Sequence, residues 1–265
     1  MKIRLLLPAA LLLLATAGLR AAEPAPSEVK IKPKASASRA HGPRDGGFMP
    51  STDVVDAPTT AVLDNYGYSA RSRFYTRGGL MQFLSFGVYP GINLGASAAV
   101  DGLIGDERGV RMRAPTAQVK WRFYEGDNEL PSVAIGFDGQ GNQYNSGIRR
   151  FNQRQRGFFV VATKELGVPG LELHPSFNIS DFDSNSIFGS IPLTFNIRDK
   201  VTILLEWDNI NNWSDSRLSS GLRVHLTPNF NTDFAVRAIG AGGFYSDGGR
   251  RGPERIVQLK YSNSF

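Results

Sequence analysis

The sequence has no cysteine among its 265 residues, so no disulfide can hold the fold together. A chain of this size without disulfides is stabilised by its backbone hydrogen bonds and its core, or by a membrane around it. The sequence has a formal net charge of +6, but residues 48–265 have little excess charge, because they hold 22 basic and 21 acidic side chains. A nucleic-acid-binding surface needs a concentrated basic face, so this balance excludes nucleic acid as a partner.

Long hydrophobic runs are absent beyond the amino terminus. The opening MKIRLLLPAALLLLATAGLRAA has a basic start, the apolar run Leu5–Leu14 and then small residues. This layout predicts a secretory signal peptide over residues 1–22, with cleavage after Ala17 or Ala22. An uncleaved anchor is the alternative, but a spanning helix needs about 20 apolar residues. The exported protein is therefore soluble, anchored from outside, or a membrane β-barrel.

The stretch that follows is poor in large apolar side chains. Residues 23–47 are rich in Pro, Ala, Ser and Lys. Such a composition cannot bury enough surface to offset the entropy of ordering. We therefore expect residues 23–65 to be a flexible periplasmic linker and the lead-in to the first strand. A tether that contacts a partner is the alternative.

From residue 66 onward, the apolar residues recur with a period of two, which indicates β-strands. In TAQVKWRFY, for example, the apolar positions are Ala117, Val119, Trp121 and Phe123. About twelve such runs are present, at 66–77, 79–89, 92–102, 114–124, 130–139, 155–165, 170–180, 187–197, 201–209, 217–227, 231–240 and 255–265. No window has the period of a long amphipathic helix.

The connections between these runs alternate between short turns and long polar loops. Outer-membrane barrels have this alternation, with short periplasmic turns and longer outer loops. A secreted antiparallel sandwich is the alternative, because it too has one buried and one wet face. The number and length of the runs, with aromatic residues near their ends, favour the barrel. We predict an all-β fold, a transmembrane antiparallel barrel of about 12 strands over residues 66–265.

The last run, IVQLKYSNSF, keeps its apolar alternation to the final residue, except at Asn263. A membrane barrel must close by pairing its last strand with its first, because an open edge leaves unsatisfied backbone groups in lipid. The run resembles the carboxyl-terminal assembly signal of outer-membrane β-barrels, with matching residues Val257, Leu259, Tyr261 and Phe265. The resemblance implies a location in the outer membrane, with its lipid and the barrel-assembly machinery as partners.

Three segments resemble YjbH-like outer-membrane proteins. GGFMPSTDVVDAP (46–58) looks like the opening that precedes their first strand. VKWRFYEGDNELPSVAIGF (119–137) and FFVVATKELG (158–167) are similar to their sequence of strand, tight turn and strand. The YjbH-like family is associated with exopolysaccharide production, so the resemblance implies a role in the cell envelope and not a known reaction.

One pair of residues has the spacing of a hydrolase site. His174 and Ser176 lie two apart, so a strand places them on one face, with Glu172 or Asn178 near the histidine. Outer-membrane lipid hydrolases use such a pair, but this pair lies on the polar face, away from lipid. We predict a hydrogen-bonded lumen pair. The loop that contains Asp181 resembles the start of a calcium loop but lacks its glycine and final glutamate. We therefore expect no metal and no cofactor, and an irregular ion site in this loop is the alternative.

The inward positions of the predicted barrel carry charges of both signs. The lumen-lining charges are Arg71, Arg73, Lys120, Arg122, Glu172, Glu206, Asp208, Arg223, Asp233 and Arg237. The same face adds Arg77, Asp101, Asp138 and Lys260. We interpret this set as an ion-paired interior that fills a modest barrel. A polar channel or a groove for an anionic glycan is the alternative.

These patterns predict an outer-membrane envelope protein that is not an enzyme. Through the YjbH-like resemblance, we expect an accessory role in exopolysaccharide production or export, with surface polysaccharide as a partner. A small passive channel is the second hypothesis, and a lipid-active hydrolase is the third.

Overall fold

The computed structural model describes residues 51–105, 109–145, 150–153, 156–180, 187–211, 216–240 and 252–265. Among them, no helix has the length and apolarity needed to cross a bilayer. The strands are β1 (Gly67–Tyr75), β2 (Gly79–Tyr89), β3 (Ile92–Asp101), β4 (Arg111–Met112), β5 (Thr116–Tyr124), β6 (Ser132–Asp138), β7 (Asn142–Asn145), β8 (Arg150–Gln153), β9 (Gly157–Glu165), β10 (Leu171–Leu173), β11 (Ser176–Ile179), β12 (Ile187–Ile197), β13 (Val201–Asp208), β14 (Arg217–Thr227), β15 (Phe230–Ile239) and β16 (Glu254–Ser264).

The strands close into an antiparallel barrel with twelve strand positions around its wall, which confirms the predicted fold. Each of these positions is one stave of the barrel. β1 pairs with β2 on one side and with β16 on the other, so the first and last strands seal the sheet. β10 and β11 form one stave, because both lie between β9 and β12. β4 pairs with the end of β3, and β7 and β8 form a separate two-stranded sheet. Each of the twelve predicted runs coincides with one stave.

The two ends of the barrel differ in their connections. The short-turn end carries the turns at 90–91, 125–131, 166–170, 198–200 and 228–229. The long-loop end carries the longer connections and one tight turn, at 76–78, between β1 and β2. We expected Arg77 to line the lumen, but it lies exposed in this turn with φ of 65°. The strand ends two residues earlier, at Tyr75, so the inward direction no longer applies to the side chain of Arg77.

The outer face of the barrel is apolar. Large exposed side chains follow the outward positions of successive strands, among them Leu84, Phe86, Leu94, Val119, Trp121, Phe123, Ile135, Phe158, Phe177, Leu222 and Phe234. Soluble proteins rarely expose a continuous apolar surface of this extent. A closed sheet with an apolar exterior is the arrangement in which strands span a membrane, because all backbone groups are paired within the sheet. The protein is therefore an outer-membrane β-barrel.

The stave β10–β11 is interrupted at His174 and Pro175. Pro175 has no N–H to donate to the ladder, but its carbonyl accepts a hydrogen bond from Ala162 N at 3.0 Å. On the other side, His174 N donates to Pro192 O at 2.9 Å. The two prolines thus lie beside one interruption, and the sheet continues past it.

Residues 51–65 do not lie outside the barrel as a linker. They enter the lumen from the short-turn end and fold back inside it, and Val54, Val55 and Ala57 are fully buried there. We define residues 51–60 as the luminal hairpin. The physical reason for the difference is that this part of the chain has apolar and acidic residues that match the inner wall. Residues 1–50 lie outside the described residues, so the signal peptide and the rest of the linker stay predictions.

Candidate functional site: the luminal hairpin and its cationic wall

The luminal hairpin is a tight reversal of the backbone. Val54 N donates to Ala57 O at 2.9 Å, and Thr59 N donates to Thr52 O at 3.2 Å. Asp53 and Pro58 form the single antiparallel bridge of this reversal. The reversal presents its tip, residues 54–57, to the wall of the barrel.

The tip is anchored by apolar contact. Val54 and Val55 belong to one buried cluster with Leu204, Ala235 and Ile256, which point inward from β13, β15 and β16. Burying a valine side chain contributes roughly 1.5–3 kcal/mol. The hairpin tip therefore covers one of the apolar patches of the inner wall.

A buried carboxylate holds the backbone of the tip. Glu206 Oε2, on β13, accepts hydrogen bonds from three successive amides: Val55 N at 3.2 Å, Asp56 N at 2.9 Å and Ala57 N at 2.8 Å. Its other oxygen, Oε1, accepts from Arg156 Nη2 at 2.9 Å. Hydrogen bonds to a charged group contribute more than neutral ones. Glu206 therefore joins the hairpin to the wall through four donors.

Asp53 lies within a cluster of three cations from different strands. It forms ion pairs with Arg71 on β1 and Lys260 on β16, and its Oδ1 lies 3.6 Å from Arg223 Nη2 on β14. Arg223 is also held by a two-point contact with Asp233, at 2.7 and 2.8 Å. Wall and hairpin thus share the same cations.

Asp56 forms a second group of ion pairs with the wall, nearer the long-loop end of the barrel. Its Oδ1 lies 2.6 Å from Arg73 Nη1, and its Oδ2 lies 3.0 Å from Arg237 Nη1. Burial alone raises the pKa of Asp56, but the positive charges of Arg237, Arg73 and Arg156 outweigh it and hold that pKa well below its ordinary value. Asp56 is therefore charged at any physiological pH.

The lead-in between the hairpin and β1 is held at the short-turn end. Lys120 Nζ donates to Thr52 O at 2.7 Å and to Ala61 O at 3.2 Å. The chain then passes close to β2 at Gly87, where a Cβ would lie 1.9 Å from Asp64 O. Only glycine allows this approach, so β2 is built to let the lead-in pass.

His174 and Ser176 are buried in the lumen, but they are not arranged as a base and a nucleophile. His174 Nδ1 lies 2.9 Å from Thr163 Oγ1, and its Nε2 lies 3.0 Å from Thr194 Oγ1. Ser176 Oγ instead pairs with Ser190 Oγ at 2.5 Å. The ring is thus held between hydroxyls of the neighbouring staves, and the serine hydroxyl is turned to another serine.

This geometry yields a prediction. His174→Ala and Ser176→Ala should leave phospholipid and lipid A hydrolysis at the background that we expect in the parent. His174→Ala should lower the free energy of unfolding by about 1–3 kcal/mol, because the buried hydroxyl of Thr194 loses its ring partner, whereas Thr163 Oγ1 still accepts from Thr60 N. Hydrolysis assays and denaturant titration check both parts. Robust lipid hydrolysis that is lost in both variants would overturn this assignment.

The other predicted residues fall at the two ends of the lumen. Arg122 pairs with the exposed Glu125 at 3.2 Å, near the short-turn end. Glu172 is partly exposed, with its Oε2 3.8 Å from His174 Nε2. At the long-loop end, Asp208 contacts Arg156 at 3.0 Å and Arg217 at 3.1 Å. Asp181 lies outside the described residues, so the expectation of no metal at its loop stays a prediction.

The sequence did not point to Asp53, Asp56, Arg156 or Glu254 as members of this network. One signal was available: the predicted inward face held more basic than acidic residues, so acids from outside the strands were needed. The segment DVVD supplies two carboxylates around two valines. Periodicity could not place it inside, because the hairpin is too short to show a period.

A cavity remains beside the hairpin. Its volume is about 140 Å³, and it lies between the hairpin and the inner faces of β1, β2, β3, β5 and β6. The residues that line it include Asp53, Asp56, Arg71, Arg73, Phe83 and Lys120. The lumen is thus reduced by the hairpin but not completely filled.

Comparisons with known proteins add little to this geometry. No family model matches the chain, and no curated protein matches it, so the YjbH-like resemblance is not supported. Among solved structures, the chain is similar to a KdgM porin at 14% identity, covering 75% of this chain and 99% of that one, with a TM-score of 0.49. A NanC porin matches at 12% identity with the same coverage and a TM-score of 0.43. Both TM-scores lie below 0.5, so the barrel assignment rests on the strand pairing of this chain itself.

Proposed function

We propose that this protein is a non-enzymatic outer-membrane barrel whose lumen is closed by its own amino-proximal hairpin. One observation carries the proposal: Asp53 and Asp56 of the hairpin form ion pairs with cations on β1, β14, β15 and β16, which include the two strands that seal the barrel. Breaking a buried ion pair costs about 3–5 kcal/mol. The hairpin is therefore held firmly and reduces conduction in the resting state.

A passive channel is the second candidate function, and the cavity favours it. Arg71, Arg73 and Lys120 line the space that the hairpin leaves. If the hairpin moved away, these cations would face water and attract anions. The same barrel would then conduct small anionic solutes.

An accessory role in exopolysaccharide production rests on the three segments that resemble YjbH-like proteins. Secretion of polysaccharide by a strain that lacks the gene tests this role. An unchanged amount and length of polysaccharide would remove it.

Conductance of the purified protein tests the closed lumen. In planar bilayers, the folded parent should show long closed periods and only small currents, because the hairpin occupies the lumen. Folding should be checked first by heat-modifiable migration, so that an absence of current caused by failed insertion is not mistaken for a closed lumen. A large, steady, anion-preferring conductance of the parent would contradict the proposal and support the channel.

A further inference from the structure

Three cations of the wall take most of their partners from residues 51–65, although Arg73 Nε also donates to Gln258 Oε1 on β16 at 3.1 Å. Among the residues that the structure describes, the acidic partner of Arg71 is Asp53 and that of Arg73 is Asp56. The hydrogen bonds of Lys120 go to backbone carbonyls of the same segment.

The remaining cations of the network differ, because the wall itself supplies their acids. Arg223 and Lys260 pair with Asp233, and Arg237 pairs with Glu254. If the hairpin left, these pairs would persist. The wall therefore separates into a self-paired part and a part whose close ion pairs come from the hairpin, where Asp138 on β6 is the wall carboxylate whose charge acts on Arg71 and Lys120.

Arg71 and Arg73, which the hairpin neutralises, are spaced and oriented so that they could bind an anionic ligand. Arg71 and Arg73 are two apart on one strand face, which separates their positions by about 7 Å. The guanidinium of Arg71 lies 3.6 Å from the ring centroid of Phe83, and its buried Nε has no hydrogen-bond partner. An aromatic ring fixes the guanidinium plane, and the unused Nε–H leaves Arg71 able to hold a further acceptor.

The hairpin shows which chemistry fits. It places two carboxylates on two separated cations, one on each side of its tip. We propose that Arg71, Arg73 and Lys120 form a binding site for a linear oligomer that carries carboxylates, and that such an oligomer competes with Asp53 and Asp56 of the hairpin for it. This site rests on the proposed closed lumen and names the ligand class that would open it.

The cavity supplies the route for the exchange. It touches both hairpin carboxylates and all three cations. An incoming carboxylate can therefore contact Arg71 before Asp53 has left. The exchange replaces one carboxylate by another, so no charge is left buried without a partner at any step.

Binding to the purified full-length protein tests the site. The probes are tri-glutamate and a trimer of a uronic acid, with tri-glutamine and a neutral trisaccharide as uncharged controls, followed by calorimetry at low salt. The double variant Asp53→Asn/Asp56→Asn should bind a carboxylated trimer at least ten-fold more tightly than the parent, because its hairpin no longer competes. The uncharged trimers should not bind. If tri-glutamate binds more tightly, the ligand is an acidic peptide. If the uronic-acid trimer binds more tightly, the ligand is an acidic saccharide.

A matched pair of variants separates the site from general electrostatics. In the double-variant background, Arg71→Gln should abolish the gain in affinity. Arg113→Gln removes the same charge from a pair with Asp101 elsewhere in the barrel, so it should keep the gain. Equal affinity in the parent and the double variant, or a gain that survives Arg71→Gln, would overturn the proposal.

A second measurement keeps the parent hairpin intact. Because the chain has no cysteine, Val55→Cys carries a unique thiol at a buried position. A charged trimer should raise its rate of maleimide labelling several-fold, and the neutral trimers should not. An unchanged rate contradicts competition by the ligand. If the parent is closed but no trimer binds, the closed lumen stands and the ligand site is wrong, so the two failures are distinguishable.

Discussion

Glu206→Ala should turn the closed barrel into a conducting one. The substitution removes the acceptor of three backbone amides at the hairpin tip, which then lack a partner in a buried position. Each such group costs about 1–3 kcal/mol. The sum is comparable with what the two buried valines contribute, so the hairpin, which keeps its ion pairs at Asp53 and Asp56, should spend more time outside the lumen. Planar-bilayer currents and labelling of Val55→Cys should both rise.

The control for this variant is Glu165→Ala. Glu165 is exposed at the short-turn end, where it accepts a hydrogen bond from Gly170 N at 2.9 Å. Glu165→Ala removes the same charge without touching the hairpin, so the currents of this variant should match those of the parent. The anchor role is wrong if Glu206→Ala folds but conducts no more current than the parent. In that case Val55→Cys would also be labelled no faster with Glu206→Ala than without it.

Leu259→Arg should strongly reduce the yield of folded barrel. Leu259 points outward at the centre of β16, between Ser72 on β1 and Thr232 on β15. An arginine on the lipid face costs about 2–4 kcal/mol at mid-membrane and about 0–1 kcal/mol near the interface. Asn263→Arg, near the end of the same strand, is the matched control and should fold almost normally. Heat-modifiable migration and protease resistance measure the difference.

Equal yields of the two arginine variants would show that β16 does not face lipid as the pairing indicates. The role of Val257, Leu259, Tyr261 and Phe265 as a signal for the barrel-assembly machinery stays a prediction. In the structure, Phe265 N donates to Tyr66 O at 3.2 Å, and its ring lies 4.9 Å from that of Tyr68. These contacts bind the last residue to the first strand whether or not any machinery reads it.

The staves could be predicted from sequence because each strand lies between lipid and lumen, and the two environments demand opposite side chains at alternate positions. Where the pattern weakened, local contacts give the reason. FFVVATK is apolar on both faces because Phe159 and Val161 pack inward against Ala134. Gln82 interrupts the outer face of β2, where its Oε1 accepts a hydrogen bond from Ser72 Oγ at 2.8 Å.

The hairpin could not be predicted in the same way. Its partners lie far along the chain: Asp53 and Lys260 are separated by 207 positions, and Val55 and Glu206 by 151. No local rule connects such residues. Composition suggested a linker because it counts apolar residues, whereas the hairpin needs only two valines and two carboxylates in matching positions.

These separations also constrain the order of folding. The hairpin precedes every strand, yet its anchors lie on β1 and on β13 to β16, which include the last strands of the barrel. Contacts of such high sequence separation close large loops and are formed slowly. The hairpin can acquire its native contacts only when the carboxyl-terminal strands are in place, so the lumen stays open until β16 meets β1. We therefore expect sealing of the wall and docking of the hairpin to be one late, coupled step of assembly.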